Sequence, residues 1–342
     1  MNLTNSKNIN TPTFSVIIPA YNSQDFLEKG VYSVLNQTCD DLELVLVDDG
    51  SKDKTLELCN KFAVKDKRVK VIHQENGGHT SARNTGLVNS TGKYVIFLDS
   101  DDWLDTDALE IFKTDIEKNN TDIIIFNICQ SVNGECNVLS NLISDGFYKL
   151  KEDKRIIENL IMSPAGDYSF QKSLSGKVFK REKVINYQLN IPKDVLVGED
   201  GACFVFAMLS SETVSVILNK YYRCSVREDS VSRSCDKLAF SRYMSLINFY
   251  KENLDLSDVQ LLEQLQRYAV AHLYTALQFV MRSDCSKKYL KKEYKKVISD
   301  EFIKNAIKKA KFNKSGKKMR VKQFILRYKL FFLVKPLSIL TH

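Results

Sequence analysis

The chain has 342 residues, 44% of them hydrophobic, with a net charge of +8, which is enough apolar material for two domains or one large domain with an appendage. No apolar run is long enough to span a bilayer, the polar stretch from Met1 to Thr13 lacks signal-peptide character, and the eight cysteines show neither C-x-x-C nor zinc spacing. These features argue against a membrane-spanning protein, a zinc module or a disulfide scaffold, and for reduced thiols in a cytoplasmic protein.

In chain order, apolar runs at Phe14 to Ile18, Leu42 to Val47, Val69 to Ile72, Tyr94 to Leu98 and Ile123 to Phe126 predict strands. Between them, Asp25 to Gln37 carries Val31, Val34 and Leu35, Asp53 to Ala63 carries Leu56, Leu58 and Phe62, and Thr106 to Glu117 carries Leu109, Phe112 and Ile116, all at helical spacing. Repeated βα units predict an α/β fold with a mostly parallel sheet flanked by helices. Beyond residue 130 the alternation stops. Weak strands near Val178 to Lys180, Val214 to Leu218 and Tyr221 to Cys224 precede long helices from about Ala239 to Tyr250 and from Val259 to Arg282, which offer a dimer interface as readily as an intrachain one.

The charge is uneven along the chain. Between Lys287 and Lys335, eighteen Lys or Arg stand against Glu293, Asp300 and Glu301, so the rest of the chain is acidic. Within this tail Val321, Phe324, Ile325, Tyr328, Phe331 and Phe332 recur at helical spacing, with Lys322, Gln323, Arg327 and Lys329 between them. Such a helix can lie on an anionic membrane surface, pack its apolar face on the body, or bind nucleic acid. An acidic body counts against the last of these.

The loops after the predicted strands carry the chemistry. Pro19-Ala20-Tyr21-Asn22 ends the first strand and Asp48-Asp49-Gly50-Ser51 the second, while Asn76-Gly77-Gly78 opens the helix bearing Arg83 and Asn84. The fourth strand runs into Asp99-Ser100-Asp101-Asp102-Trp103. Three like charges within this stretch repel, and a hard divalent cation with oxygen ligands would compensate them, although an acidic turn before a helix reads the same. All four loops would face the edge where open α/β sheets bind ligands. Tyr21 can stack on a base, Asp49 can accept from a pyrimidine N–H, and Arg83 can meet a phosphate or the base. The first strand is not followed by G-x-G-x-x-G, which counts against a nicotinamide dehydrogenase.

Together, Phe14 to Asn22, Val47 to Ser51, Asn76 to Leu87 and Phe97 to Trp103 resemble the family 2 glycosyltransferases of the GT-A fold, four motifs in order over about ninety residues. The resemblance implies a UDP-sugar donor, with Pro19, Ala20, Tyr21 and Asp49 around the uridine, Arg83 nearby, and Asp48 and Ser100 also among the nucleotide-sugar-binding residues. It further implies Asp99 on the ribose side and Asp101 as direct ligand, with Asp99, of Mn²⁺ or Mg²⁺ bridging the diphosphate. Inversion in one displacement needs a base, and Gly198-Glu199-Asp200 before an apolar run matches the family's Glu-Asp pair: Asp200 as general base, Glu199 on the acceptor side. A bare Glu-Asp before a helix is also an ordinary acidic first turn. Trp103 lines the sugar or acceptor pocket or packs in the core. Tyr221-Tyr222-Arg223 and Ser230-Val231-Ser232 resemble a segment that closes over the diphosphate in this family. His73, His79 and His272 show no ligand spacing and read as structural or surface residues.

The organisation this implies is a short extended N-terminus (1–12), a nucleotide-sugar-binding half (13–130), an acceptor-binding half (131–235) and a helical region with a basic amphipathic tail (236–342). The expected function is metal-dependent transfer of a sugar from a UDP donor to a glycan acceptor, lipid-linked, in surface polysaccharide synthesis at the inner face of the membrane, without nucleic acid. The alternative is a non-catalytic nucleotide-sugar-binding or regulatory protein of the same fold.

Overall fold

Phe14–Ala20 is buried at every position, as a strand covered on both faces must be, and forms β1. The protein is described from a computed structural model covering residues 11–132, 135–139, 141–225, 236–283 and 285–334. Its elements follow in order as β1, α1 (Leu27–Leu35), β2 (Leu42–Asp49), α2 (Thr55–Lys65), β3 (Val69–Gln74), α3 (His79–Asn89), β4 (Tyr94–Phe97), β5 (Trp103–Leu104), α4 (Ala108–Asn119) and β6 (Ile123–Val132). Then come β7 (Glu135–Leu139), β8 (Gly146–Lys149), α5 (Lys154–Glu158), β9 (Lys177–Lys180), α6 (Arg181–Leu189), α7 (Glu199–Ser210) and β10 (Thr213–Ser225). The remainder is helical: α8 (Ala239–Asn253), α9 (Val259–Arg282), α10 (Lys287–Val297), α11 (Glu301–Lys309) and α12 (Lys317–Tyr328). No helix of the described residues is long and apolar enough to cross a membrane.

Compactness divides the chain differently from the sequence segments. One unit comprises 1–149, 173–189 and 210–226, the other 150–172, 190–209 and 227–342. The first unit holds a sheet of order β3-β2-β1-β4-β9-β6-β10-β5, with β7 on β6 and β8 on β10. The expected α/β sheet flanked by helices is present, with a departure in strand direction. β3, β2, β1 and β4 are parallel neighbours, but β9 enters antiparallel between β4 and β6, so the whole sheet is mixed.

Side-chain alternation sorts the helices. Val16, Ile18, Leu44, Leu46 and Ile96 share one core with Leu27 and Val31 of α1, Cys59 and Phe62 of α2, and Leu109 and Phe112 of α4. Each such side chain contributes about 1.5–3 kcal/mol by leaving water. Helix α3 covers the opposite face, where Gly86 lies so close to Ile17 and Val47 that a Cβ there would collide with Ile17. Gly30 gives α1 a similar approach to the segment after β4, a Cβ falling 2.8 Å from the Asp102 carbonyl oxygen. Gly30→Ala is therefore expected to displace that segment and cost about 1–3 kcal/mol, read as a lowered thermal midpoint; an unchanged midpoint would refute the close contact.

The cysteine expectation fails at one hairpin. Cys129 of β6 and Cys136 of β7 form a disulfide, Cys136 lying opposite Ser131 and so a diagonal step from Cys129 on the same face. Cys39, Cys59, Cys203, Cys224 and Cys285 are not in disulfides. Burial, with the Asp48 carboxylate adding to it, pushes the Cys59 thiol up to about 12.

The second unit is built on α8 and α9, whose Tyr250 and Tyr268 rings meet edge to face at 5.4 Å. The helices from 239 to 282 thus meet within the chain. Asp258 caps α9 by accepting from the Gln260 and Leu261 N–H groups, and Asp300 caps α11 through Ile303.

Candidate active site

Because β1, β2 and β4 are parallel, their carboxyl ends open onto one edge of the first unit's sheet. Pro19 and Ala20 end β1 as buried residues, and Tyr21 stands beyond them half in solvent, 49% exposed. Asn22 turns the chain at a positive φ of 47°. Its N–H donates to Ser51 Oγ and its Oδ1 accepts from the Lys52 N–H. Ser23 donates its N–H to Thr55 Oγ1 and pairs hydroxyl to hydroxyl with Ser100 at 2.8 Å. The loops after β1, β2 and β4 are therefore bolted together before any ligand arrives.

Alternation sends the two β2 carboxylates to opposite faces. Asp48 is fully buried; His73 Nδ1 lies 2.7 Å from one of its oxygens, and the other has no partner among the described residues. Asp49 accepts from Gln74 Nε2 at 2.6 Å and from the Gly77 and Gly78 N–H groups at 2.8 and 2.9 Å. It thus organises the glycine loop, whose Gly78 needs a φ of +83° that few other residues tolerate.

Arg83 reaches from α3 to Asp99, Nη2 to Oδ1 at 2.9 Å, and is buried with its guanidinium over the Phe97 ring. His79, one turn earlier on the same helix face, brings Nε2 to 3.3 Å from the same oxygen, and Ser175 Oγ donates to the other. Burial raises the Asp99 carboxyl, but Arg83 and His79 outweigh it and hold the group well below the usual range. Asp102 goes the other way. Burial, reinforced by the Asp99 charge, pushes it up to about 8 although Tyr222 donates to it at 2.6 Å and the Ser225 N–H at 3.1 Å. The carboxylate repulsion read from the sequence is thus relieved in large part by the protein itself: Asp99 is ion-paired and Asp102 is held toward its neutral form.

Asp101 stands half-exposed between them. Among the described residues no three His, Cys, Asp or Glu side chains converge on a closed cation site. The Asp99 oxygens already meet Arg83, His79 and Ser175, so Asp99 and Asp101 would hold a cation together with substrate phosphates and water, which is how Mg²⁺ is commonly bound.

Trp103 lies in β5, paired with Arg223 of β10, and Lys29 of α1 sits over its ring. Arg223 forks onto the two Asp105 oxygens at 2.6 and 3.0 Å. In the second unit Glu199 and Asp200 are the first two residues of α7, where the helix dipole favours carboxylates. Gly198 precedes them at φ +73°, packed against Leu246 and the Tyr268 hydroxyl. Ser230-Val231-Ser232 lies outside the described residues.

Sequence reasoning passed over His79, Ser175 and Gln74 as site residues. For His79 a signal existed in its i,i+4 spacing to Arg83. Ser175 reaches Asp99 only through the tertiary fold. Tyr222, noticed only as part of a tripeptide, also accepts from the Asp99 N–H at 3.2 Å. Tyr222→Phe should leave Asp102 and that N–H short of a partner and lower stability by about 1–3 kcal/mol; denaturant midpoints equal to wild type would contradict it.

Comparison with known proteins bears on the same residues. The family model described as Glycosyl transferase family 2 matches residues 15–166. Glycosyltransferase GlyA of Streptococcus pneumoniae serotype 4 is 34% identical over 220 residues, 64% of this chain and 31% of that protein. The chain thus spans about a third of that relative's length. The uncharacterized glycosyltransferase EpsJ of Bacillus subtilis is 27% identical over 348 residues, 95% of each chain. The crystal structure of S. aureus TarS 1-349 in complex with UDP matches with a TM-score of 0.67 at 21% identity, over 92% of this chain and 89% of that one, a likeness of fold.

Proposed function

We propose, from the glycosyltransferase family 2 match over residues 15–166, that this chain is a member of that family and transfers a sugar from a UDP-sugar to a glycan acceptor, with inversion, in surface polysaccharide synthesis. The observation that carries the reading is the sheet edge at which Asp49 holds the glycine loop opening α3, and Arg83 of that helix ion-pairs with Asp99 of the Asp99-Ser100-Asp101 segment. The UDP complex of the TarS structure supports a uridine donor.

In this reading Pro19, Ala20, Tyr21 and Asp49 surround the uracil, Tyr21 stacking on it, while Asp48 supports the loop from the opposite face, buried against His73. Arg83 fixes Asp99 toward the ribose, and Ser100 is held in place by Ser23. Asp101, with Asp99, would hold Mn²⁺ or Mg²⁺. That cation, when bound, offsets the charge growing on the diphosphate. Asp200 takes the proton from the acceptor hydroxyl, whose oxygen bonds to the anomeric carbon as the bond to UDP breaks and the diphosphate leaves with the electron pair. Glu199 and Trp103 contact the acceptor. A UDP-sugar donor, rather than the cysteines, assigns the work to the cytoplasm. The basic tail assigns it to the inner membrane face, where a lipid-linked acceptor would lie.

The test is UDP release from a panel of UDP-sugars with and without Mn²⁺, backed by calorimetry with UDP. Turnover of one donor, or metal-dependent UDP binding alone, supports the site. Absence of UDP binding overturns the transferase reading and the non-catalytic nucleotide-sugar alternative alike.

A further inference from the structure

Met319, Ile325 and Leu326 of α12 are buried, and the opposite side of a helix docked that way is ordinarily polar. Here it is not. Val321, Phe324 and Tyr328 follow at i, i+3 and i+7 along the outward side, 45, 52 and 55% exposed, with the last two rings 4.6 Å apart. Phe332, in the turn after the helix, is 72% exposed.

Nor is the helix loosely held. Tyr294 of α10 donates its hydroxyl to the Leu326 carbonyl at 2.6 Å and meets the Phe331 ring at 4.8 Å, and Gln323 donates to the Ile307 and Ala310 carbonyls. The direction of the apolar stripe is therefore fixed by packing. Around it Lys317, Arg320, Arg327 and Lys329 are exposed, and α10 adds exposed Lys287, Lys288, Lys291, Lys292, Lys295 and Lys296.

We propose that the outward side of α12 is a docking surface for an anionic phospholipid bilayer, with Val321, Phe324, Tyr328 and Phe332 entering the headgroup boundary and the surrounding cations meeting lipid phosphates. This sharpens the membrane part of the function proposed above and rests on it, while standing apart from the donor chemistry. The charge selects this occupant. A second copy would set one strongly cationic face against another, whereas an anionic lipid surface attracts each cation and receives the aromatic rings.

Cosedimentation of the full chain with phosphatidylcholine vesicles, and with vesicles containing phosphatidylglycerol, tests it. Wild type should bind only the anionic vesicles, and less as salt rises. The double variant Phe324→Ser/Tyr328→Ser should lose roughly tenfold or more of that binding at low salt. Arg320→Gln/Arg327→Gln should bind more weakly and with a flatter salt dependence. All these side chains are exposed, so melting midpoints close to wild type should verify folding. Wild-type failure on anionic vesicles, or variants that bind as well as wild type, overturns the proposal. So does a wild-type dimer, by size-exclusion chromatography, that the apolar variant disperses. Calorimetry with UDP on the same samples separates the readings: the variants should bind UDP like wild type, and vesicle binding without UDP binding would fault the donor site alone.

Discussion

Asp101→Ala is expected to lower metal-dependent turnover of a UDP-sugar by roughly a thousandfold, a loss of about 4 kcal/mol of transition-state stabilisation. The magnitude follows from the proposed role of Asp101 as direct ligand of a cation that would offset charge on the leaving diphosphate. Asp99 is ion-paired with Arg83 and near His79, and Asp102 is bonded to Tyr222 and the Ser225 N–H. Asp101 is half-exposed, so the variant should melt close to wild type. A titration of Mn²⁺ against UDP release decides the matter, and a variant with an unchanged metal requirement would sink the assignment.

Asp200→Asn should behave differently. Loss of the proposed base should remove roughly a hundred- to ten-thousandfold from transfer to acceptor, while UDP binding stays at the wild-type level. Asn keeps the size of the side chain at the first turn of α7, where the lost helix-terminus charge costs only about 0.3–1 kcal/mol. Single-turnover transfer alongside UDP calorimetry separates the two effects. Transfer at the wild-type rate would require another base.

The first third of the chain was legible because its strands, the edge strand β3 excepted, are buried on both faces and its helices amphipathic, so β1, β2, β3, β4 and β6 all begin at the residues their apolar runs predict. The donor edge was legible for the same reason: parallel strands put Tyr21, Asp49 and Asp101 at one end. What could not be read depends on distant partners. The four residues of β9 carry no signal that they will enter antiparallel between β4 and β6. The segments 150–172 and 190–209 give no hint that they join the C-terminal helices. Tyr222 lies 120 residues from the Asp102 it binds. For the tail, periodicity identified the helix but could not say which apolar residues face inward, and packing divides them, Ile325 inward and Phe324 outward.

Synthesis of the chain inherits a timing problem from the sheet order. Strand β6 takes β10 as its parallel neighbour, Ile123 opposite Val214, and β9 on its other side, Ile123 opposite Phe179. A nascent chain therefore carries Ile123, Ile124, Ile125 and Phe126 through the emergence of some fifty to ninety further residues before either edge is covered. Non-local pairing of this kind slows folding and leaves an adhesive strand exposed meanwhile. Fragments ending before residue 225 should then aggregate rather than yield a working half-enzyme.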